Sequence, residues 1–158
     1  ANRLGDCSLP INVQGFAIGA LLEAVHDAMA EPERLHRHGD TMLQVRTDPD
    51  LLRVIVSNLL DNACKYSPPE SPVSVAVQSD ARSWCLTVRN QLGPTGVPDP
   101  DRVFRKYHRA EEAKGLLGAG LGLWLGHNLA QHLGGSLEVR TVKEHVEFSL
   151  CLPLTASP

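Results

Sequence analysis

Residues 51–66, LLRVIVSNLLDNACKY, decide the fold. At about 100° per residue, Leu52, Ile55, Val56, Leu59, Ala63 and Tyr66 fall on one side, which predicts a long helix with a continuous core face. Asp48-Pro49 supplies an N-cap and a first-turn proline ahead of it, and Pro68-Pro69 stops it. Asn58, Asp61, Asn62 and Lys65 share a second stripe about 100° wide, continued toward the N-terminus by Val54 and Leu51. The stripe is therefore expected to be at least partly buried. A buried Asn amide without partners costs about 1–3 kcal/mol, so two of them a turn apart need backbone, water or a ligand. The helix alone leaves backbone partners and a ligand equally open.

A chain of 158 residues is most simply one domain, 1–158, able to bury about two-thirds of its unfolded surface. Cys7, Cys64, Cys85 and Cys151 are scattered, with no CxxC pair and no Cys/His spacing suited to zinc, so staples are unnecessary and a reducing compartment fits. A net charge of -3 and a pI near 6.2 argue against a general nucleic-acid-binding or membrane-coating surface. No apolar run approaches the roughly 18 residues of a membrane span, and ANRLGDCSLP lacks the apolar core of a signal peptide. The sequence reads as a soluble segment, not membrane-inserted, and without an initiating Met it reads as a piece of something longer. Residues 1–8 are expected to be a linker from an upstream domain.

In residues 9–13, Leu9, Ile11 and Val13 alternate as in a short edge strand. Residues 15–30 carry Phe16, Ile18, Leu21, Leu22, Val25 and Met29 at helical spacing until Pro32. Residues 34–38 and 42–46 read as a hairpin around His38-Gly39-Asp40. Residues 73–79 and 84–88 alternate as a second hairpin, and 136–142 with 146–152 as a last one. Residues 90–100, with two glycines and three prolines, are expected to be irregular. A short turn holds Val103, Phe104 and Tyr107, and Gly118 to Gly122 lead into a helix ending at Gly134-Gly135. About three helices on one face of a mostly antiparallel mixed sheet make an α+β two-layer sandwich.

Gly118, Gly120 and Gly122 begin a helix, where unpaired N–H groups and the dipole favour an anion. Close packing explains glycines equally well. A dinucleotide fingerprint would need glycine at Leu123, and a Walker loop a Lys after the last glycine. Arg105, Lys106, His108, Arg109 and Lys114 form either a solvated charged loop or a phosphate-facing lid. His36 and His38 share a strand face but lack a third ligand, so both are expected on the surface. Cys64 has no nearby His or Cys to make a catalytic thiolate.

In order along the chain, these motifs resemble the ATP-binding catalytic domain of bacterial two-component sensor histidine kinases, in the Bergerat-fold group with gyrases and Hsp90. NLLDNACKYS is similar to the family's Asn box, VFRKYHR to its Phe box and GAGLGLWL to its second glycine box. The resemblance implies that Asn58 and Asn62 contact Mg²⁺ and its phosphates, that Lys65 approaches a phosphate, and that Tyr66 flanks the nucleotide. It implies a phosphate-binding backbone at Gly118, Gly120, Leu121 and Gly122, a lid over 105–117 anchored by Phe104 and Tyr107, and Arg109 on the γ-phosphate. Asp61 stands where an acid can serve as base toward the incoming imidazole. ATP and Mg²⁺ are the implied cofactors. The implied partners are a dimerisation and phosphoacceptor domain absent from this chain and a response regulator, in a homodimeric parent anchored in the inner membrane with this domain cytoplasmic.

The chain departs from the family at the first glycine box, Asp-x-Gly-x-Gly. Aligned on Gly96-Val97-Pro98, Leu92 and Pro94 replace the Asp and first Gly, while Gly96 keeps the last. Asn90 is the candidate substitute, because its side-chain oxygen can accept from the adenine amino group. Ala119 replaces a hydroxyl residue. His26, in HDAMAEP, is similar to a phosphoacceptor histidine, but Pro32 comes one residue too late and the intervening Arg is missing. Two readings compete with a kinase half that donates the γ-phosphoryl to a histidine. One is a degenerate module with weak or no nucleotide binding that regulates other kinases by protein contacts. The other is a gyrase- or Hsp90-type ATPase, whose relatives carry Glu where Asn58 stands.

Overall fold

The computed structural model describes residues 9–105 and 119–154. Among them the order is β1 (Gln14–Ala17), α1 (Ile18–Asp27), a 3₁₀ turn (Pro32–Arg34), β2 (Leu35–Gly39), β3 (Gln44–Thr47) and α2 (Pro49–Tyr66). There follow β4 (Val73–Ser79), β5 (Ser83–Gln91), α3 (Ala119–His132), β6 (Ser136–Val142) and β7 (His145–Pro153). Five strands form a mixed sheet in the order β2-β4-β5-β7-β6, and β1 pairs with β3 in a separate ribbon. The expected three helices and α+β sandwich are present.

Alternation builds the sheet. Trp84, Leu86 and Val88 of β5 and Phe148, Leu150 and Leu152 of β7 point to the helices and are buried. The opposite face carries Thr87, which meets Ser149 at 3.2 Å, and Glu147, which accepts from Arg140 Nε at 2.9 Å. The inner face packs on α2, whose Leu52, Ile55, Val56, Leu59, Leu60, Ala63 and Tyr66 are all buried. Each fully buried Leu or Ile contributes roughly 1.5–3 kcal/mol, so α2 is the central support of the core.

Both ends of α2 are fastened by side chains. Asp48 Oδ1 accepts from the Asp50 and Leu51 N–H groups at 2.9 and 3.1 Å, and its Oδ2 accepts from the Asn12 N–H at 2.8 Å. At the other end Arg34, only 6% exposed, meets the Cys64 carbonyl and the loop beyond it. His132 Nε2 lies 2.6 Å from the Leu9 carbonyl, so residues 9–12 are tied to both α2 and α3.

Four expectations are corrected. Residues 34–38 and 42–46 do not form a hairpin: β2 runs parallel to β4 with Leu35 opposite Val73, while β3 pairs antiparallel with β1. Gly39 at φ 87° turns the chain away, a conformation strained for residues with a Cβ, and Asp40 donates to the Val77 carbonyl at 2.9 Å. Pairing along the buried valines of β4 gives β2 a place in the main sheet, whereas β3 has to bury Val45 and Thr47. The first strand is residues 14–17, not 9–13, and it takes the first residues expected of α1. β5 continues to Gln91, so Asn90 lies in the sheet between Val73 and Val146. Cys85 and Cys151, 66 residues apart in sequence, face each other across β5 and β7 with Cα atoms 4.1 Å apart and are disulfide-bonded. Strand register brought the scattered cysteines together.

Asp48→Ala removes two cap bonds and the hold on Asn12. The variant is expected to lose about 1–2 kcal/mol in urea unfolding, with an unchanged dependence on denaturant.

Candidate functional site

The α2 face that departs from the core presents Asn58 and Asn62, both half-buried, with Asp61 and Lys65 exposed beside them. The helical period sets this division, because burying the apolar stripe leaves one flank facing α3. A Cβ built on Gly122 of α3 would lie 3.6 Å from Asn58 Cγ and Oδ1. One turn on, Gly126 faces Ile55 Cγ2 and Leu137 Cδ2 at 3.8 and 3.5 Å. These are ordinary van der Waals separations, and they place the N-terminal half of α3 beside the Asn58 side chain. Gly120 and Leu121 lie in the first turn of α3; Lys106, Tyr107, His108, Arg109, Lys114 and Gly118 lie outside the described residues.

At the end of α2 the second wall begins. Tyr66 is buried, and its carbonyl is covered by Gly93: a Cβ there would sit 2.0 Å from Tyr66 O and 3.2 Å from Ser67 Cα. Only glycine permits this approach. The sequence reading passed over Gly93; its signal was the Gly-Pro pair just past the strand, one residue out of register with the expected box. Residues 93–96 form a turn, Gly96 N–H to Gly93 O at 3.0 Å, with Gly96 at φ 84° and open space around it.

Asn90 is 4% exposed, on the inner parity of β5 with Val88. Its Nδ2 donates to the Gln91 carbonyl at 2.7 Å, which leaves Oδ1 as the accepting end of the amide. A neutral amide in this orientation can receive an N–H, with less charge assistance than a carboxylate.

Past the turn, Val103 is buried and Phe104 stacks on His127 of α3, with ring centroids 4.8 Å apart at 20°, and meets the edge of Phe148 at 6.0 Å. His127 was not legible as an anchor, since its partner is on another element. Burial pushes its pKa below the ordinary 6.5. Burial likewise raises the Cys64 thiol, outweighing the lowering effect of Arg34, so Cys64 is no activated nucleophile. His36 and His38 are exposed, as expected. Among the described residues no three His, Cys, Asp or Glu side chains gather as a metal cluster, and none of the helices is long and apolar enough to cross a membrane.

Paired amides on a core helix, held against a glycine-containing helix above a mixed sheet, define a nucleotide-site architecture of the Bergerat class. The chain belongs to the histidine kinase-, DNA gyrase B-, and HSP90-like ATPase family, whose model matches residues 47–156. It has the architecture of the ATP-binding catalytic domain of a histidine kinase. It is 35% identical over 137 residues to the swarming motility regulation sensor protein RssA of Serratia marcescens, covering 82% of this chain and 29% of that protein. It is 32% identical over 110 residues to the sensor histidine kinase HprS of Escherichia coli K12, covering 70% of this chain and 24% of that protein. The chain thus spans less than a third of the length of either relative. Among solved structures, the catalytic domain of histidine kinase ThkA superposes with a TM-score of 0.79 at 20% identity, over 91% of this chain and 97% of that one. The mycobacterial sensor histidine kinase MprB gives 0.71 at 24% identity, over 92% and 100%.

Because the folded pKa of His127 is depressed, its neutral ring stabilises the fold fully above 6.5, and that contribution is lost as pH falls through the folded value. The urea midpoint of the wild type is expected to drop more, between about pH 7.5 and about pH 5, than that of His127→Phe, which keeps an aromatic stack without the titration. Equal drops in the two proteins would contradict this.

Proposed function

We propose that this domain binds Mg·ATP and, in its parent protein, donates the γ-phosphoryl to a histidine on a separate dimerisation domain, from which a response-regulator aspartate receives it. The observation that carries the reading is the placement of Asn58 and Asn62 on the one flank of α2 that faces α3, with Gly122 against Asn58. Two half-buried amides a turn apart, beside the start of a helix, suit an anion that brings its own cation. In this reading Asn58 and Asn62 turn amide oxygens to Mg²⁺, which when bound neutralises phosphate charge. Lys65 adds a mobile positive charge at the exposed edge. The backbone of Gly120, Leu121 and Gly122 contributes the positive end of α3, together with Gly118. Arg109, outside the described residues, would help neutralise the γ-phosphate.

The base lies against the wall that Tyr66 and the 93–96 turn form together, with Asn90 Oδ1 accepting from the adenine amino group. Asp61, exposed next to Asn62, takes the proton of the incoming imidazole. Catalysis then rests on positioning and charge neutralisation, as phosphoryl transfer requires. The similarity to the sensor protein RssA and the sensor histidine kinase HprS supports a sensor-kinase parent; that this parent is homodimeric and anchored in the inner membrane, with this domain on the cytoplasmic side, is part of the same proposal.

A second reading, a module that binds nucleotide weakly or not at all and regulates kinases by protein contacts, is favoured by Leu92 and Pro94 in the first glycine box. Titration of the domain with Mg·ATP separates the two. Saturable binding lost in Asn58→Ala and Asn62→Ala at unchanged melting temperature supports the kinase reading. Absence of binding in the intact domain supports the second. Asn90→Asp is expected to tighten ATP by roughly tenfold if the amide contacts the amino group, since a charged acceptor adds about 1–1.5 kcal/mol.

A further inference from the structure

We propose that Arg34 is the positioning residue for the base-side wall of this nucleotide site, and that it sets discrimination of adenine from guanine while leaving phosphate binding untouched. The proposal rests on the nucleotide-binding reading above. Arg34 lies on the 3₁₀ turn before β2, outside every motif of the family, and its side chain is 5% exposed. A buried guanidinium is costly unless each donor finds an acceptor. Here Nε donates to Ser71 O at 2.9 Å, Nη2 to Ser67 Oγ at 2.7 Å and Pro68 O at 3.3 Å, and Nη1 to Cys64 O at 3.3 Å. The remaining partner, Glu31 at 2.8 Å from Nη1, is half exposed, so solvent screens its charge. Four of the five acceptors therefore lie in residues 64–71, the last turn of α2 and the loop that leaves it.

That placement sets what Arg34 controls. The C-terminal end of a helix carries unpaired carbonyls and partial negative charge, and a buried cation there holds the last turn in place. Tyr66 lies between Cys64 and Ser67, both of which Arg34 grips, and Tyr66 and Ser67 are the surface on which Gly93 rests, so close that a Cβ on Gly93 would overlap Tyr66 O. Gly93 opens the turn to Gly96, and Asn90 is the last residue but one of β5, just before it. Thus Arg34 fixes residues 64–71, these seat Gly93, and Gly93 fixes the approach of the turn to Asn90. The phosphate side has separate support. At the level of Asn58, which Gly122 adjoins, α2 is held by buried Ile55 and Leu59. Loss of Arg34 releases one wall and leaves the other.

The test measures dissociation constants of the 158-residue chain, with Mg²⁺, for ATP, GTP and inorganic triphosphate, in wild type, Arg34→Met and Arg34→Lys, well below each melting temperature. The wild type is expected to prefer ATP to GTP. Arg34→Met is expected to weaken ATP by at least about tenfold, about 1.4 kcal/mol, with GTP and triphosphate within about twofold. Arg34→Lys, which keeps a charge able to reach fewer of the same acceptors, should recover part of the preference. Parallel weakening of all three ligands, or no change in the ATP to GTP ratio, overturns the proposal and leaves Arg34 a structural residue. A wild type that binds ATP without preference over GTP also overturns it. If Arg34→Met does not fold, Arg34→Lys and Gly93→Ala are read by the same ratio. A wild type that binds no Mg·ATP defeats the nucleotide reading itself and this proposal with it, whereas a binding wild type with an Arg34-independent ratio defeats only this proposal.

Discussion

Burial of one face of α2 is the constraint on which the rest depends. Leu52, Ile55, Val56, Leu59, Leu60 and Ala63 are each at most 1% exposed against the sheet and its neighbouring helices, so the helix has no freedom to rotate about its axis. With rotation fixed, the 3.6-residue period leaves Asn58 and Asn62 at the flank where α3 passes. Their polarity is tolerated because they stand at the edge of the core rather than within it. Gly122 of α3 lies beside Asn58, and Gly126, one turn on, beside Ile55 and Leu137.

The helix ends are held by two different kinds of electrostatics. At the N-terminus a carboxylate, Asp48, meets free N–H groups and the positive end of the dipole. At the C-terminus a guanidinium, Arg34, meets carbonyls at the negative end. Each cap also reaches a second segment, Asp48 to Asn12 and Arg34 to Ser71. The arrangement ties residues 9–12 to one end of α2 and the loop 67–71 to the other. Phe104 adds a third fastening, between the segment after the 93–96 turn and α3, through the ring of a histidine whose pKa burial lowers.

Much of this was visible in local pattern. The helical stripe of residues 51–66, the Asp-Pro start, and the alternation in 73–79, 136–142 and 146–152 are short-range signals, and each found its element. The Asn pair stood out because polar residues interrupted a pattern that packing alone would have filled with Leu. The misreadings are long-range. Residues 34–38 and 42–46 look like hairpin partners because they are adjacent, yet β2 gained more by pairing with the valines of β4. Nothing local marks Arg34 as buried, since four of its five acceptors come 30 to 37 residues later. Gly93 was passed over because its reason is the Tyr66 carbonyl, and Asn90 was placed in a loop although β7 extends the ladder beyond it.

The sequence by itself determined the elements with strong periodicity, the order of the three motif boxes, and the pair of amides on the flank of α2. These follow from residue types within a few positions of each other, where helix and strand geometry dictates which side chains share a face. The tertiary structure alone decided which strands pair, that Cys85 opposes Cys151, that α3 meets Asn58 through a glycine, and that a buried arginine grips the end of the site helix. Those outcomes depend on which distant surfaces bury most area with every polar group satisfied. That competition runs over the whole chain at once, and no local window contains it.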